Sequence, residues 1–233
     1  MERRQPSPQE GAVDAVGKFT PHSASISKNL PKTRAEAEAM LKKSLDVKQT
    51  GPDTFTLGII TFNTKQQTLT IPSIVNQQDG LIEYALVTES GKRHESLFYT
   101  KARAEQVHLA CLLLGVTPSA TSRFAVEVTW KKHGPEARYS LAELVLIRNM
   151  PTETGHALTG ADWTYNGSYV GGEGFAAQME GSIIALISDN AALANNPRTD
   201  RGNDKIHFPN TPLLPAKGMP VEIILKFNLP SAP

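Results

Sequence analysis

Hydrophobic and polar residues alternate along much of the chain after residue 50, which predicts short β-strands. The clearest case is the segment from Phe124 to Trp130, where apolar residues occupy every second position. This alternation places one face of a strand in a core and the other face towards solvent. Trp130 ends the apolar face, so we expect it to anchor a core.

The segment from Leu81 to Gly115 indicates a strand, a tight turn, a second strand and a helix. Leu81–Thr88 is an almost unbroken apolar run, as in a strand covered on both faces. Ser90-Gly91-Lys92 favours a tight reversal, since glycine adopts positive φ angles. Glu95–Tyr99 is therefore predicted to return as a hairpin partner. A helix from Lys101 to Leu114 follows, and its apolar spacing predicts that it is buried.

Two features near residue 60 are interpreted as local irregularities. Apolar positions alternate from Phe55 to Ile59 and change phase at Ile60, so a β-bulge is predicted beside Gly58. The strand around Leu69 is predicted to be short, because Pro72 would confine it to an edge or an end of a sheet.

These short strands, frequent Gly and Pro turns and one long internal helix predict a mainly β fold. We expect an immunoglobulin-like or related β-sandwich with one inserted α-helix and a short N-terminal helix. Strands and helices do not alternate along the chain, which argues against a parallel α/β sheet.

The chain is predicted to hold one main domain. Residues 1–32 are rich in Pro, Ser, Gln and Gly and predict a flexible N-terminal arm. Thr33 and Glu36 form a capping box, which predicts a short helix within residues 33–49. The β-sandwich domain is expected over residues 50–228, with a tail at 229–233.

The composition is that of a globular protein, with 39% hydrophobic and 20% charged residues. The net charge of +1 gives no overall attraction to nucleic acid or to a membrane. No stretch has the roughly 18 apolar residues of a membrane span, and the N-terminus lacks a leader's apolar core. The polar start resembles a tether, so we interpret the chain as a mature form with its leader removed and a start Met added. A periplasmic or cell-surface location is expected, with anchoring through the native N-terminus; the alternative is cytoplasmic.

His94, Glu95 and His108 are the first candidates for a metal or catalytic site. His94 and Glu95 are adjacent on a predicted strand, so their side chains should point to opposite faces. Zinc sites usually need three or four closely arranged ligands, and structural roles are favoured. The Asp and Asn residues at 189–204 offer oxygen ligands for calcium, but their spacing does not match an EF-hand loop, which favours a solvated loop.

Three further motifs are given structural interpretations. Cys111 lies in the apolar helix, where burial would make it unreactive, and as a single cysteine it excludes an internal disulfide. Gly171–Gly174 is similar to a phosphate-binding loop, but no Lys-Ser/Thr follows it, so a hairpin turn is predicted. Neither Ser168 nor Ser182 lies in a G-x-S-x-G elbow, and no catalytic triad is predicted.

A family resemblance runs through the same segments. GLIEYALV (80–87), GKRHES (91–96) and VHLACLLLG (107–115) resemble, in this order, the YdjY-type domain of bacterial proteins. The resemblance continues through Val126–Trp130, Ala142-Glu143, Asp162–Ser168 and Gly181–Ala185, and covers roughly residues 52–228. This largely uncharacterised family implies a fold and no reaction. Some relatives carry cysteine clusters that suggest iron–sulfur binding, but one cysteine cannot supply the roughly four thiolates that a cluster needs.

The polar residues are spread over turns and converge on no motif, which favours a non-catalytic role. We predict an extracytoplasmic protein-interaction or structural module in a cell-surface, pilus- or secretion-associated assembly. A protein partner or self-association through exposed sheet edges is expected, without nucleic acid, cofactor or transmembrane segment. The alternative is a metal-binding protein or an enzyme of unknown reaction that uses His94, Glu95 or His108.

Overall fold

The computed structural model describes residues 12–13, 19–20, 33, 47–131, 135–149, 153–160 and 162–228. Most of the predicted arm at 1–32, the predicted helix after Thr33, the turn at 133–134 and the tail at 229–233 lie outside the described residues. Within the N-terminal segment, β1 (Ala12–Val13) pairs antiparallel with β2 (Phe19–Thr20).

The rest of the described chain is built mainly from short strands. They are β3 (Val47–Gln49), β4 (Thr54–Leu57), β5 (Ile60–Asn63), β6 (Thr68–Val75), β7 (Tyr84–Thr88), β8 (Ser96–Thr100), β9 (Arg123–Lys131), β10 (Glu136–Ser140), β11 (Val145–Ile147), β12 (His156–Ala157), β13 (Asp162–Tyr165), β14 (Val170–Gly171), β15 (Gly174–Phe175), β16 (Ser182–Ala185), β17 (Ala194–Asn195), β18 (His207–Pro209) and β19 (Pro220–Phe227). The α-helices are α1 (Ala104–Leu113) and α2 (Ala176–Glu180), and short 3₁₀ turns lie at Arg93–Glu95, Thr199–Gly202 and Thr211–Leu213. Neither α1 nor α2 is long and apolar enough to cross a membrane.

Eight strands close into a barrel, in the order β9, β13, β17, β16, β7, β8, β6 and β19. The ring is complete because β19 pairs with β6 along one edge and with β9 along the other. The predicted mainly β class is right, but the immunoglobulin-like sandwich is wrong, since one sheet closes on itself where a sandwich stacks two. Alternating apolar residues are equally compatible with both architectures, so the local pattern did not separate them.

The β7 and β8 strands are parallel neighbours, with Tyr84 opposite Ser96 and Thr88 opposite Thr100. The predicted hairpin between them is therefore wrong. Gly91 is needed for close packing, because a Cβ there would lie 2.9 Å from the carbonyl oxygen of Gly181. The segment that connects β7 to β8 therefore packs, at Gly91, against Gly181 just before β16.

The phase change beside Gly58 comes from a hairpin, and the predicted bulge is wrong. Leu57 at the end of β4 lies opposite Ile60 at the start of β5, and Gly58 turns the chain with a φ of 58°. Such a two-residue turn reverses the chain, so the apolar positions on either side of it face the same core.

Pro72 lies inside β6, which is longer than predicted. Along the edge of β6 away from β19, β5 pairs as far as Thr70 and β8 pairs from Ile74. Pro72 lies between these two partners, where its missing N–H leaves no ladder bond unmade. Its carbonyl oxygen accepts a hydrogen bond of 2.6 Å from Oγ1 of Thr100.

The predicted burial of the α1 helix is confirmed, and the helix lies over one end of the barrel. His108 Nδ1 lies 2.8 Å from the hydroxyl oxygen of Tyr165, the last residue of β13. The Tyr165 ring meets edge-on the ring of Phe227, the last residue of β19. Phe227 also packs on Phe124 near the start of β9, so these aromatic residues gather beneath the helix.

The Gly171–Gly174 segment forms the predicted hairpin turn, here between β14 and β15. The segment that follows β15 is the short helix α2. Ala176 and Ala177 open this helix, since alanine has the highest helix propensity. Gly181 ends it with a φ of 71°.

Candidate functional site

One row of side chains crosses the outer wall of the barrel. Arg123 on β9 lies opposite Thr164 on β13, which lies opposite Asn195 on β17. The row continues through Ala185 on β16 to Tyr84 on β7. Residues directly opposite one another on neighbouring strands point to the same face of a sheet. These five positions therefore face outwards together.

The loop between β16 and β17 folds back over this row, above the small residue Ala185. The main-chain N–H of Asp189 donates to Oδ1 of Asn195 at 2.8 Å, and Oδ2 of Asp189 accepts from the Tyr84 hydroxyl at 3.0 Å. Nδ2 of Asn195 donates to Oδ1 of Asn166 at 3.0 Å and to the carbonyl oxygen of Asp189 at 2.8 Å. Asp189 thus fastens the loop on both sides of Ala185.

A cavity of about 490 Å³ opens beside this loop, and we refer to it as the outer-wall pocket. It is lined by Ala120, Arg123, Thr164, Asn166, Ser188, Asp189, Asn190, Asn195, Pro197 and Arg201. Arg123 donates from Nη1 to the hydroxyl oxygen of Thr164. The Arg201 side chain is exposed and makes no hydrogen bond or ion pair with the described residues. A polar lining of this size suits a small polar group better than an apolar one.

Behind the outer-wall pocket, the hydroxyl of Tyr84 lies between a lysine and a carboxylate. Lys92 Nζ donates to this hydroxyl at 2.7 Å and lies 3.7 Å from Oε2 of Glu180. Burial, and then the negative charge of Asp189, raises the pKa of Tyr84 above its ordinary value. Tyr84 therefore remains a neutral hydroxyl that accepts from Lys92 and donates to Asp189.

The family assignment comes from a match between the sequence and a protein-family model. The model of the YdjY domain matches residues 60–226. The chain belongs to the YdjY domain family. The matched range of the YdjY domain begins at the first residue of β5 and ends one residue before the end of β19, so it contains α1 and all of the closed ring except Phe227. Searches of curated proteins and of solved structures found no match.

His94, Glu95 and His108, the predicted candidates, lie in different surroundings in the YdjY domain. The side chain of His94 is 80% exposed, and its Nε2 lies 3.5 Å from Oε2 of Glu95 within a 3₁₀ turn, where a strand was expected. His108 is a buried residue of α1, with its ring centroid 5.2 Å from that of Phe175. The described residues contain no group of three or more His, Cys, Asp or Glu side chains that could hold a metal ion.

The oxygen-rich segment at 189–204 forms internal bonds. Asn196 is buried and donates from Nδ2 to Oδ1 of Asp200 at 2.7 Å. The same Asp200 oxygen lies 3.7 Å from Nε2 of the buried His207. Burial lowers the pKa of His207, against the opposing effect of Asp200. The interpretation of the segment as a solvated loop is therefore wrong for Asp189 and Asn196, which are buried.

Cys111 lies in the core, as predicted from its place in the apolar helix. It is 1% exposed, and burial raises the pKa of its thiol to about 12 despite a hydrogen bond with Tyr165. Ser168 donates to the carbonyl oxygen of Ala191 at 2.6 Å and accepts from the N–H of Ala177 at 3.0 Å. The hydroxyl of Ser182 is buried. Ser168 and Cys111 thus have structural partners.

Sequence reasoning missed Arg123, Asn166 and Arg201 as site residues. Their positions in the chain are far apart, and the pairing of β9, β13 and β17 brings the first two together. One signal was available, because the Asn- and Asp-rich segment at 189–204 stood out as a supply of polar groups. The amides of Asn190 and Asn195 and the guanidinium group of Arg201 in this segment line the outer-wall pocket of the YdjY domain. A calcium site had been considered for the same segment.

Proposed function

We propose that this YdjY domain is a non-catalytic binding module that recognises a partner protein through the outer-wall pocket. We further propose that it acts outside the cytoplasm, in an assembly of the cell envelope. An interaction role was expected from the sequence, through exposed sheet edges. We propose the outer-wall pocket as the contact surface.

The chemistry of the pocket lining carries this proposal. Asp189 has the only carboxylate among the described lining residues, and both of its oxygens accept hydrogen bonds, from Tyr84 and from the N–H of Ala191. The remaining polar groups are amides, hydroxyls and guanidinium groups. Such groups recognise a ligand well, but they do not exchange protons readily near neutral pH.

The pocket is also held in place before any partner arrives. The bonds from Asp189 to Asn195 and Tyr84 fix the loop, and those from Asn195 to Asn166 fix the neighbouring wall. A preorganised surface loses less conformational entropy on binding, which favours affinity. This rigidity suits a recognition site.

Closure of the ring removes the free edges of its eight strands. Within the described chain, two extensions leave the ring. One runs from β6 through β5 and β4 to β3, and the other is β10, which pairs with β9. Pairing along the sheet was the expected mode of interaction, but closure removes most of that surface. The outer-wall pocket, in contrast, faces away from the barrel interior.

The burial of Cys111 is compatible with the proposed location. A thiol that is 1% exposed is protected from oxidation and from mispaired disulfides. The chain is therefore compatible with an oxidising compartment, although it carries a single cysteine.

Site-directed photo-crosslinking in the natural host tests the binding role. A photoreactive residue at Ala120, an exposed residue of the pocket, should give one defined product with a partner. The product should be absent when the label is at the exposed residue Lys65, which does not line the pocket, and should disappear with Arg201→Glu. Absence of a product at Ala120, or the same product at Lys65, would overturn the proposal.

Cell fractionation tests the location separately. The protein should be recovered with the periplasmic or surface fraction of its host. Recovery with the cytoplasmic fraction would overturn the extracytoplasmic part and leave the binding role intact.

A further inference from the structure

The outer-wall pocket carries a small positive charge. Arg123 and Arg201 contribute two guanidinium groups and Asp189 contributes one carboxylate, so the ionised lining side chains sum to +1. The carboxylate of Asp189 accepts hydrogen bonds from the N–H of Ala191 and from the Tyr84 hydroxyl, which hold it against the barrel wall. The excess corresponds to one monovalent anion.

The pocket also has hydrogen-bond donors that the described residues leave unused. Each guanidinium group has five N–H donors in a planar fork. Arg123 uses Nη1 on Thr164, and the exposed side chains of Arg201 and Asn190 make no hydrogen bond with other described residues. Planar forks of this kind match the two oxygens of a carboxylate.

We propose that the outer-wall pocket binds the side-chain carboxylate of an acidic residue on the partner protein. This inference rests on the proposed function and names the group that is recognised. The carboxylate accepts hydrogen bonds from Arg201 and Arg123. The hydrogen bond between Asn195 and Asn166 fixes the wall of the pocket behind it.

The composition of the pocket disfavours other ligands. A phosphate group carries close to two negative charges at neutral pH and would leave one of them uncompensated beside Asp189. A neutral ligand would leave two guanidinium groups without a counter-charge. The exposed residues Ala120, Asn190 and Arg201 open the cavity outwards, so that a side chain carried on another protein can enter.

Binding of four defined probes to the full chain tests the inference. The first is a hexapeptide with blocked ends and a central glutamate, and the second has glutamine in place of the glutamate. The third is the glutamine peptide with a free C-terminal carboxylate, and the fourth is inorganic phosphate. Dissociation constants come from titration calorimetry, and the binding position comes from amide chemical shifts of labelled protein.

The glutamate peptide should bind at least about tenfold more tightly than the glutamine peptide, since it adds charge-assisted hydrogen bonds. Its binding should shift the amide signals of Asn190 and Arg201 and should weaken as salt is added. Arg201→Gln should reduce the affinity to that of the glutamine peptide. Arg201→Lys should restore only part of it, because lysine has no planar fork. Arg138→Gln, an exposed arginine of β10, should change nothing.

Equal affinity for the glutamate and glutamine peptides would overturn the inference. Tighter binding of the free C-terminus or of phosphate would overturn the assigned source of the anion. If the crosslink from Ala120 still depends on Arg201 while the glutamate peptide does not bind, the carboxylate inference fails and the binding function stands.

Discussion

The hydroxyl group of Tyr84 donates a hydrogen bond of 3.0 Å to Oδ2 of Asp189, which lies 105 positions further along the chain. Lys92 donates to the same hydroxyl at 2.7 Å. One neutral group thus separates an ammonium ion from a carboxylate and ties the loop after β16 to β7. The contact holds Asp189, which lines the outer-wall pocket, against the barrel wall.

Tyr84→Phe should lower the free energy of unfolding by about 1–3 kcal/mol, because Lys92 and Asp189 lose their shared partner in a buried position. Chemical denaturation measures this change. The matched control is Tyr139→Phe, which keeps the ring stacked on Trp130 and should change stability by less than about half a kcal/mol. Equal losses in both variants would contradict the structural role of the Tyr84 hydroxyl.

Trp130→Ala should lower the free energy of unfolding by about 3–5 kcal/mol, because Trp130 is 8% exposed and its ring stacks on Tyr139 at 5.4 Å. Thermal and chemical denaturation measure the loss, and Trp130→Phe should lose less because it retains a ring. A change below half a kcal/mol for the alanine variant would mean that this face of β9 is in solvent.

Cys111 should react with a thiol reagent only after the protein is denatured. Its thiol is buried, and its pKa of about 12 leaves little thiolate at neutral pH. A variant with Lys65→Cys added provides the control, since residue 65 is exposed and should be labelled at once in the native protein. Rapid labelling of native Cys111 would show that α1 does not seal this end of the barrel.

Stability should decrease as the pH falls below about 6.5, in part because of His207. Burial lowers the pKa of this ring from its ordinary value of 6.5, so the unfolded chain takes up the proton first. The loss should begin near pH 6.5 and continue until the folded pKa is reached. Asp200 opposes this shift and Arg198 adds to it.

Unfolding free energies measured across this pH range for the wild type and His207→Gln check the prediction. The variant should show a shallower dependence on pH than the wild type over this range. An unchanged slope in His207→Gln would place the titrating group elsewhere.

The strand pattern was predictable, whereas the order of the strands was not. Alternation from Phe124 to Trp130 located β9 and its buried face, and apolar spacing located α1. The parallel pairing of β7 with β8 was missed because Gly91 indicates a turn equally well whether the chain returns beside itself or crosses to the other end. Local sequence does not distinguish these connections.

The pocket was less predictable than the fold for a related reason. Arg123, Thr164 and Asn195 meet only because three strands pair in one register. No sequence motif joins them, and a shift of one residue in any of these strands would turn its side chain to the opposite face. The segment at 189–204 was recognised as polar, but its hydrogen bond to Tyr84 depends on the pairing of β16 with β7 inside the ring.

Because β19 lies between β6 and β9 and completes the ring, we expect it to dock late in folding. Until β19 docks, both neighbours expose unpaired edges, and their inner residues have only a partial core to join. Docking pairs β19 with strands that lie far earlier in the sequence, so we expect this step to be slow, as contacts over long sequence separations are. Docking of the last strand therefore closes the barrel. Amide protons of all three strands should exchange with deuterium at a common rate that is set by global unfolding.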